Sequence, residues 1–275
     1  MLIEEQNKKG GILGRKIEPV VVDPASNWPL FAEKARELIT VQKVDVMFGC
    51  WTSVSRKSAL PVLEELNALL FYPVQYEGEE SSKNVFYTGA APNQQAIPAT
   101  DYYLDELGVK KFALLGTDYV YPRTTNKILK QYLIDKGIPE SDIFVNYTPF
   151  GHSDWSKIVS DVVSLGADGK KVGVISTING DANIGFYKEL AAAGVKADDI
   201  PVVAFSVGEE ELSGLDTTNL VGHLAAWNYF QSAESDLNTS FIKSWKSKMG
   251  DKRVTNDPME AVSYTHLTLP TSDLV

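Results

Sequence analysis

Hydroxyl and aromatic side chains follow the apolar run over residues 44–50. Trp51, Thr52 and Ser53 come directly after this run and precede a helical pattern. A helix N-terminus offers unpaired backbone N–H groups and a positive dipole end, which suit a carbonyl or carboxylate oxygen. Trp51 would add a flat apolar wall to such a site. The alternative is an ordinary helix cap beside a buried tryptophan.

A second set of candidate residues follows the apolar run over residues 69–72. Tyr72, Val74 and Gln75 stand in this segment, which continues with Tyr76. Tyrosines can close an aromatic box around a ligand and can donate hydrogen bonds from their hydroxyl groups. The alternative is a loop whose aromatic residues contact no ligand.

A third set follows the run over residues 112–117 and consists of Asp118, Tyr119 and Tyr121. The two tyrosines project to the same side if the segment is extended. The Asp118 carboxylate could accept a hydrogen bond from an amide NH₂ group. The alternative is that Asp118 caps the next helix, with Arg123 as its partner.

The last candidates are Asn179 and Gly180, which follow the run over 172–178, and Ser206, which ends the run over 202–206. An asparagine side chain matches an amide ligand as both donor and acceptor, and glycine allows close approach of the backbone. The alternative is a simple turn. Taken together, the aromatic and neutral polar residues predict one site for a small uncharged polar ligand.

The sequence lacks the residue patterns that catalysis requires. Its histidines, at positions 152, 223 and 266, have neither metal-ligand spacing nor a cysteine partner. There is no G-x-S-x-G elbow, and there is no phosphate-binding G-x-x-x-x-G-K-[ST] loop. The single cysteine, Cys50, follows Met47 and Phe48, which favours a buried and unreactive thiol. We therefore expect a binding protein without metal or cofactor, and not an enzyme.

Apolar runs and amphipathic helical patterns alternate along the chain, and this alternation restarts near residue 112. Fully apolar strands between such helices indicate parallel sheets covered on both faces. Two series of this kind predict two doubly wound lobes, whose ligands bind beyond the carboxyl ends of the strands. The predicted strands are 17–22, 44–50, 69–72, 84–88, 112–117, 143–147, 172–178, 202–206 and, less regularly, 224–229; a last helix is predicted to begin near residue 257.

The composition excludes some partners. The formal net charge of −10 disfavours nucleic acid and anionic lipid, and no apolar run approaches the length that would span a bilayer. The N-terminal residues carry no basic segment and no small-residue cleavage site of a signal peptide. We expect neither nucleic-acid binding nor direct insertion of this chain into a membrane.

The segments after the predicted strands resemble the type I periplasmic binding proteins of ABC importers, and within them the urea and short-chain-amide branch. The resemblance covers about residues 3–261 and is carried by residues 10–16, 49–53, 72–78, 91–94 and 116–123. It implies a receptor with two lobes joined by hinge strands, which closes around urea or a short amide and delivers it to a membrane permease. It also implies a periplasmic or cell-surface location.

The resemblance assigns roles to single residues. It implies that Ser53 and its helix N-terminus bind the ligand oxygen, and that Trp51, Tyr72 and Tyr119 are aromatic walls. Val74 stands where amino-acid receptors carry a hydroxyl residue, which favours urea or an amide over leucine. A cytoplasmic amide sensor that regulates amidase expression, a branched-chain amino acid receptor and an amide hydrolase are the alternatives, the last disfavoured by the missing catalytic groups.

The resemblance also predicts the domain organisation. Lobe I is expected over residues 1–90 and 231–261, without the first strand of the family, and lobe II over 91–230. Residues 262–275 resemble nothing in the family and are expected to lie outside the fold. The chain is therefore expected to be truncated at both ends.

Overall fold

The computed structural model describes residues 2–213 and 216–255. The helices are α1 (Leu2–Lys8), α2 (Trp28–Thr40), α3 (Ser53–Glu65), α4 (Ala96–Asp105), α5 (Val120–Asp135), α6 (Ser156–Leu165), α7 (Ala182–Ala192), α8 (Glu209–Leu212) and α9 (Asp236–Met249). The strands are β1 (Met47–Phe48), β2 (Leu70–Tyr72), β3 (Val85–Tyr87), β4 (Lys111–Thr117), β5 (Ile143–Thr148), β6 (Val172–Thr177), β7 (Val202–Ala204) and β8 (Leu224–Ala225). In the described part of the chain, no helix is long and apolar enough to cross a bilayer.

The chain divides into two compact units. Unit 1 contains the described residues up to Gln75, the segment Glu79–Gly89 and the described residues from Asn228 onward. Unit 2 contains Tyr76–Gly78 and Ala90–Trp227. Each unit has its own parallel sheet, with the order β1-β2-β3 in unit 1 and β5-β4-β6-β7-β8 in unit 2. The predicted α/β class with parallel sheets is confirmed.

The sheet of unit 2 is covered by helices on both faces because successive side chains of its strands point to opposite sides. Ala113 and Leu115 of β4 belong to one buried cluster, together with side chains of α6 and α7. Phe112 and Leu114 of the same strand belong to a second cluster, with side chains of α4 and α5. Such two-sided burial produces the continuous apolar runs from which parallel strands were predicted.

In unit 1, side-chain caps fix where α2 and α3 begin. The Asn27 side chain accepts a hydrogen bond from the backbone N–H of Leu30 and starts α2. The Thr52 hydroxyl accepts from the N–H of Ser55 and starts α3. Phe48, Phe71 and Phe86 lie at paired positions of the three strands, and their rings stack with centroids 4.9 and 4.7 Å apart.

The strand predicted at residues 17–22 is wrong. These residues form no sheet pairing, and Val21 is 87% exposed. Pro19 removes one backbone donor, and a strand needs a neighbour to hold its remaining hydrogen bonds. The strand predicted at 224–229 is confined to Leu224–Ala225. The helix predicted from residue 257 and the segment 262–275 lie outside the described residues.

A histidine holds the start of β7. Nδ1 of His223 accepts a hydrogen bond from the backbone N–H of Val202 at 3.1 Å, which requires that this nitrogen carry no proton. Burial lowers the pKa of His223 below its ordinary value of 6.5. The folded state therefore favours the neutral imidazole of His223. The stability that depends on this neutral form is fully present above pH 6.5 and is lost as the pH falls through the lowered pKa.

We therefore expect the melting temperature to fall between about pH 7.5 and about pH 5 by more in the wild type than in His223→Asn. The asparagine keeps a side-chain acceptor near Val202 but does not titrate. Thermal denaturation followed by circular dichroism at both pH values measures this difference. Equal pH dependence in the two proteins would show that His223 does not couple folding to protonation.

Candidate functional site

The order of the unit 2 sheet creates a switch point between β4 and β6. From β4 the chain proceeds outward to β5, and from β6 it proceeds the other way to β7 and β8. Ligands of doubly wound sheets bind at the carboxyl ends of the strands at such a point. Thr117 ends β4, and its Oγ1 accepts a hydrogen bond from the N–H of Asn179, two residues after β6, at 2.9 Å.

A chain of hydrogen bonds joins the carboxyl ends of β4, β6 and β7. The Tyr119 hydroxyl donates to Oδ1 of Asn179 at 3.0 Å, and Nδ2 of Asn179 donates to Oγ of Ser206 at 2.9 Å. Asn179 and Ser206 are almost completely buried. The structure thus brings together three residues that the sequence placed in separate segments. All three are neutral, and each side chain both donates and accepts hydrogen bonds.

Aromatic rings border this polar chain. The ring of Tyr119 lies 6.2 Å from that of Tyr121 and 5.0 Å from that of Phe150, measured between centroids. Tyr121 is buried, whereas Phe150 is 44% exposed. Phe150 was not a sequence candidate, although it stands two residues after β5, the neighbour of β4. The position of an aromatic residue just beyond a strand was the signal that could have identified it.

Asp118 pairs with Arg123, which is the partner expected if Asp118 does not bind the ligand. Its carboxylate accepts a hydrogen bond from Nε of Arg123 at 2.5 Å, and both side chains are exposed. The hydrogen bond from Arg123 lowers the pKa of Asp118. Asp118 does not cap α5, whose N-cap residue is Tyr119. Gly180 adopts a positive φ of 68° in the turn before α7, and a Cβ there would meet no atom within 4 Å.

In unit 1, the candidate residues after β1 lie in a strained loop. Gly49 and Cys50 both have positive φ, and the value of 63° at Cys50 is uncommon for a residue with a side chain. Burial raises the pKa of the Cys50 thiol to about 12, in agreement with the predicted unreactive cysteine. Trp51 follows and is 37% exposed. Backbone strain of this kind occurs preferentially at ligand clamps and active sites.

Tyr72 ties this loop to the sheet. It ends β2, and its hydroxyl donates to the backbone carbonyl of Trp51 at 3.1 Å. The structure therefore brings Trp51 and Tyr72 together. Thr52 and Ser53 are buried at the start of α3, where the hydroxyl of Thr52 is used as the helix cap. Val74 and Gln75 follow β2 and are buried as well.

The arrangement contains no recognisable metal centre. Within residues 2–213 and 216–255, no group of at least three His, Cys, Asp or Glu side chains is placed to hold a metal ion. The two sets of candidate residues contain tyrosine, serine, asparagine and tryptophan side chains. Their chemistry is that of hydrogen bonding and apolar contact to a ligand.

Comparison with known proteins identifies the family. The profile of the family described as "Periplasmic binding protein domain" matches residues 1–273. The chain belongs to this family. Among curated proteins, this periplasmic binding protein domain is 26% identical over 235 residues to "Leu/Ile/Val-binding protein homolog 3" of Brucella melitensis biotype 1. The match covers 84% of this chain and 60% of that relative, so the chain spans less than two thirds of the relative's length.

Solved structures of low identity share the fold of this periplasmic binding protein domain. A solute-binding protein of an ABC transporter from R. palustris, in complex with 4-hydroxybenzoate, has a TM-score of 0.81 and 22% identity, with coverage of 96% of this chain and 72% of that one. A leucine-binding protein from Thermotoga maritima MSB8 has a TM-score of 0.77 and 20% identity, with coverage of 96% and 73%. The expected type I periplasmic binding protein fold is confirmed.

Proposed function

We propose that this periplasmic binding protein domain binds a small neutral amide, with urea as the first candidate, for an ABC importer. The observation that carries this proposal is the chain of hydrogen bonds through Tyr119, Asn179 and Ser206 at the switch point of unit 2. Neutral groups that both donate and accept complement the carbonyl and NH₂ groups of an amide. The bordering rings supply apolar walls for a flat molecule.

The ion pair that Asp118 forms after β4 supports a neutral ligand. An α-amino acid would require a carboxylate for its ammonium group, because burial of an unpaired charge is costly. Asp118 is the carboxylate nearest in sequence to Tyr119, and it already pairs with Arg123. Val74 of unit 1 offers no hydroxyl group to such a ligand. Under this proposal the lobes have the boundaries expected from the sequence. The further proposed ligand-binding residues are Trp51, Thr52, Ser53, Tyr72 and Gln75 in unit 1, and Tyr121 and Gly180 in unit 2.

A branched-chain amino acid is the second candidate ligand. The curated relative carries Leu/Ile/Val binding in its name. Glu209 and Glu210 stand in the first turn of α8, shortly after Ser206, and are half-buried. Their carboxylates are groups that could accept from an ammonium ion. This candidate therefore differs from the first in the charge of the ligand, which makes the two separable by titration.

The importer role of the chain is part of the same proposal. Solved relatives of the fold are described as solute-binding proteins of ABC transporters. We infer that this chain acts in the periplasm or at the cell surface and delivers its solute to permease subunits in the membrane. An amide sensor that regulates expression would share the ligand but would bind a different protein partner.

Isothermal titration calorimetry with urea, acetamide and leucine tests the proposed ligand class. Urea has few atoms, and a ceiling of about 1.5 kcal/mol per non-hydrogen atom limits its dissociation constant to roughly tens of micromolar. Replacement of Trp51 by alanine should weaken urea binding by more than about 1 kcal/mol, because the ligand loses an aromatic wall. Trp28→Ala is the matched control, since Trp28 is a second partly exposed tryptophan of unit 1 but belongs to α2.

Each titration result separates the candidates. Saturable heat with urea, weaker heat with acetamide and none with leucine would support the amide receptor. Preference for acetamide would favour the amide sensor, and a response to leucine alone would overturn the neutral-ligand proposal in favour of the amino-acid receptor. Equal urea affinity in Trp51→Ala and the wild type would remove Trp51 from the site.

A further inference from the structure

Arg56 is a completely buried cation in unit 1. It lies one turn into α3, three residues after Ser53, and is 0% exposed. A buried guanidinium is costly unless hydrogen bonds and an opposite charge compensate it. No sequence pattern singled out this residue, because a lysine- or arginine-containing helix usually exposes its charges.

Glu80 provides the compensating charge. Nε of Arg56 donates to Oε1 of Glu80 at 2.7 Å, and the Glu80 side chain is 9% exposed. The Tyr87 hydroxyl donates to the same oxygen at 2.8 Å, and Lys57 contacts Oε2. Burial alone would raise the pKa of the Glu80 carboxyl, but the hydrogen bonds from Arg56 and Lys57 lower it below its usual value. The Glu80 carboxylate is therefore ionised in the folded protein near neutral pH.

The guanidinium contacts two candidate ligand-binding segments at once. Nη1 of Arg56 donates to Oγ of Ser53 at 3.3 Å, which occupies one lone pair of that hydroxyl and turns its proton away from the cation. The guanidinium also lies over the ring of Tyr72, 4.6 Å from its centroid. Tyr72 in turn donates to the carbonyl of Trp51. One buried cation thus connects the hydroxyl at the helix start to the strained loop before it.

We propose that Arg56, held in place by Glu80, is a positioning residue that sets the orientation of the Ser53 hydroxyl and of the Trp51 loop for ligand binding. The ligand-binding part rests on the proposed function, whereas the orientation of Trp51 does not. A buried ion pair is weak evidence for stability, because apolar pairs of similar volume often replace it without loss. An apolar pair could not, however, donate the hydrogen bond that orients the Ser53 hydroxyl.

The variants separate charge, shape and packing. Glu80→Gln removes the charge of the partner, Arg56→Lys keeps the cation but loses the planar fork, and Arg56→Met with Glu80→Met replaces the pair by apolar side chains. The control is Arg36→Met with Glu65→Met, which removes an exposed ion pair of the same unit. Arg36 and Glu65 contact no candidate residue through that pair.

The first readout needs no ligand. In protein labelled with 5-fluorotryptophan, the ¹⁹F resonance of Trp51 is assigned by its loss in Trp51→Phe. We expect this resonance to shift in Glu80→Gln, in Arg56→Lys and in the double methionine variant, and to stay unchanged in the control. The melting temperature of the double methionine variant should recover relative to Glu80→Gln, while the Trp51 resonance stays shifted.

The second readout is the affinity for urea, measured by calorimetry. We expect this affinity to fall about tenfold in Arg56→Lys. Loss of a residue that orients a metal ligand costs about 10- to 100-fold in affinity, and the expected effect is at the lower end of that range. A Trp51 resonance at the wild-type position in folded Arg56→Lys would overturn the proposal. Recovery of both the melting temperature and the resonance in the double methionine variant would also overturn it, since packing alone would then suffice. If the wild type binds no urea while the resonance shifts as expected, only the proposed ligand fails.

Discussion

Replacement of Gly89 by alanine should destabilise the protein by about 3 kcal/mol or more, because the new methyl group has no space. A Cβ at this position would lie 2.1 Å from both the carbonyl carbon and the oxygen of Val74, and 2.6 Å from the nitrogen of Gln75. These are backbone atoms, which cannot rotate away as a flexible side chain can. Gly89 also precedes the point where the chain leaves unit 1 at Ala90.

Urea is the proposed ligand and would itself stabilise the folded state. The free energy of unfolding is therefore measured by guanidinium denaturation followed by circular dichroism. Gly137→Ala is the matched control, because a Cβ there would meet nothing within 4 Å and only the positive φ of 89° opposes it. The control should lose roughly 1 kcal/mol. Similar denaturation midpoints for the two variants would show that the backbone near Val74 yields to the added methyl group.

Replacement of Asn179 by alanine should abolish measurable ligand binding and lower the free energy of unfolding by about 2 kcal/mol. The variant removes the acceptor of the Tyr119 hydroxyl and a donor to Ser206, both in an almost completely buried environment. Asn179 is the central member of the polar chain, so its loss separates the other two members.

Calorimetry with the ligand identified for the wild type, together with thermal denaturation, measures both effects. Asn146→Ala serves as the control, because Asn146 lies on the edge strand β5 of the same sheet and is only half-buried. Unchanged affinity in a folded Asn179→Ala variant would move the ligand site away from the switch point. Equal losses of stability in both asparagine variants would indicate a general effect on the sheet.

The strands of unit 2 were predictable from the sequence because burial on both faces requires a continuous run of apolar residues. Every residue of β6 is buried, and a run of apolar residues between helical patterns is typical of a strand that is covered on both faces. The candidate residues at the strand ends followed from that assignment alone, since parallel strands place their carboxyl ends at one edge. Tyr119, Asn179 and Ser206 were predicted in this way, and their mutual hydrogen bonds are the structural outcome.

Features that depend on contacts between distant segments were not predictable in the same way. The apolar residues over 17–22 have the composition of a strand, but a strand exists only with a neighbour, and sequence composition does not reveal the neighbour. Arg56 has the spacing of a surface residue, and its burial depends on Glu80, 24 residues away. Phe150 joins Tyr119 only through the pairing of β4 with β5.

The division of the chain has a consequence for the order of events during synthesis. Unit 2 comes almost entirely from one uninterrupted stretch, Ala90–Trp227, whereas unit 1 combines segments from both sides of it. Contact between α1 and α9, made through Glu4 and Lys248, waits until the whole intervening stretch has been translated. At elongation rates of about 5–20 residues per second, the delay is roughly 10 to 50 seconds, during which the N-terminal segments of unit 1 lack their C-terminal partner.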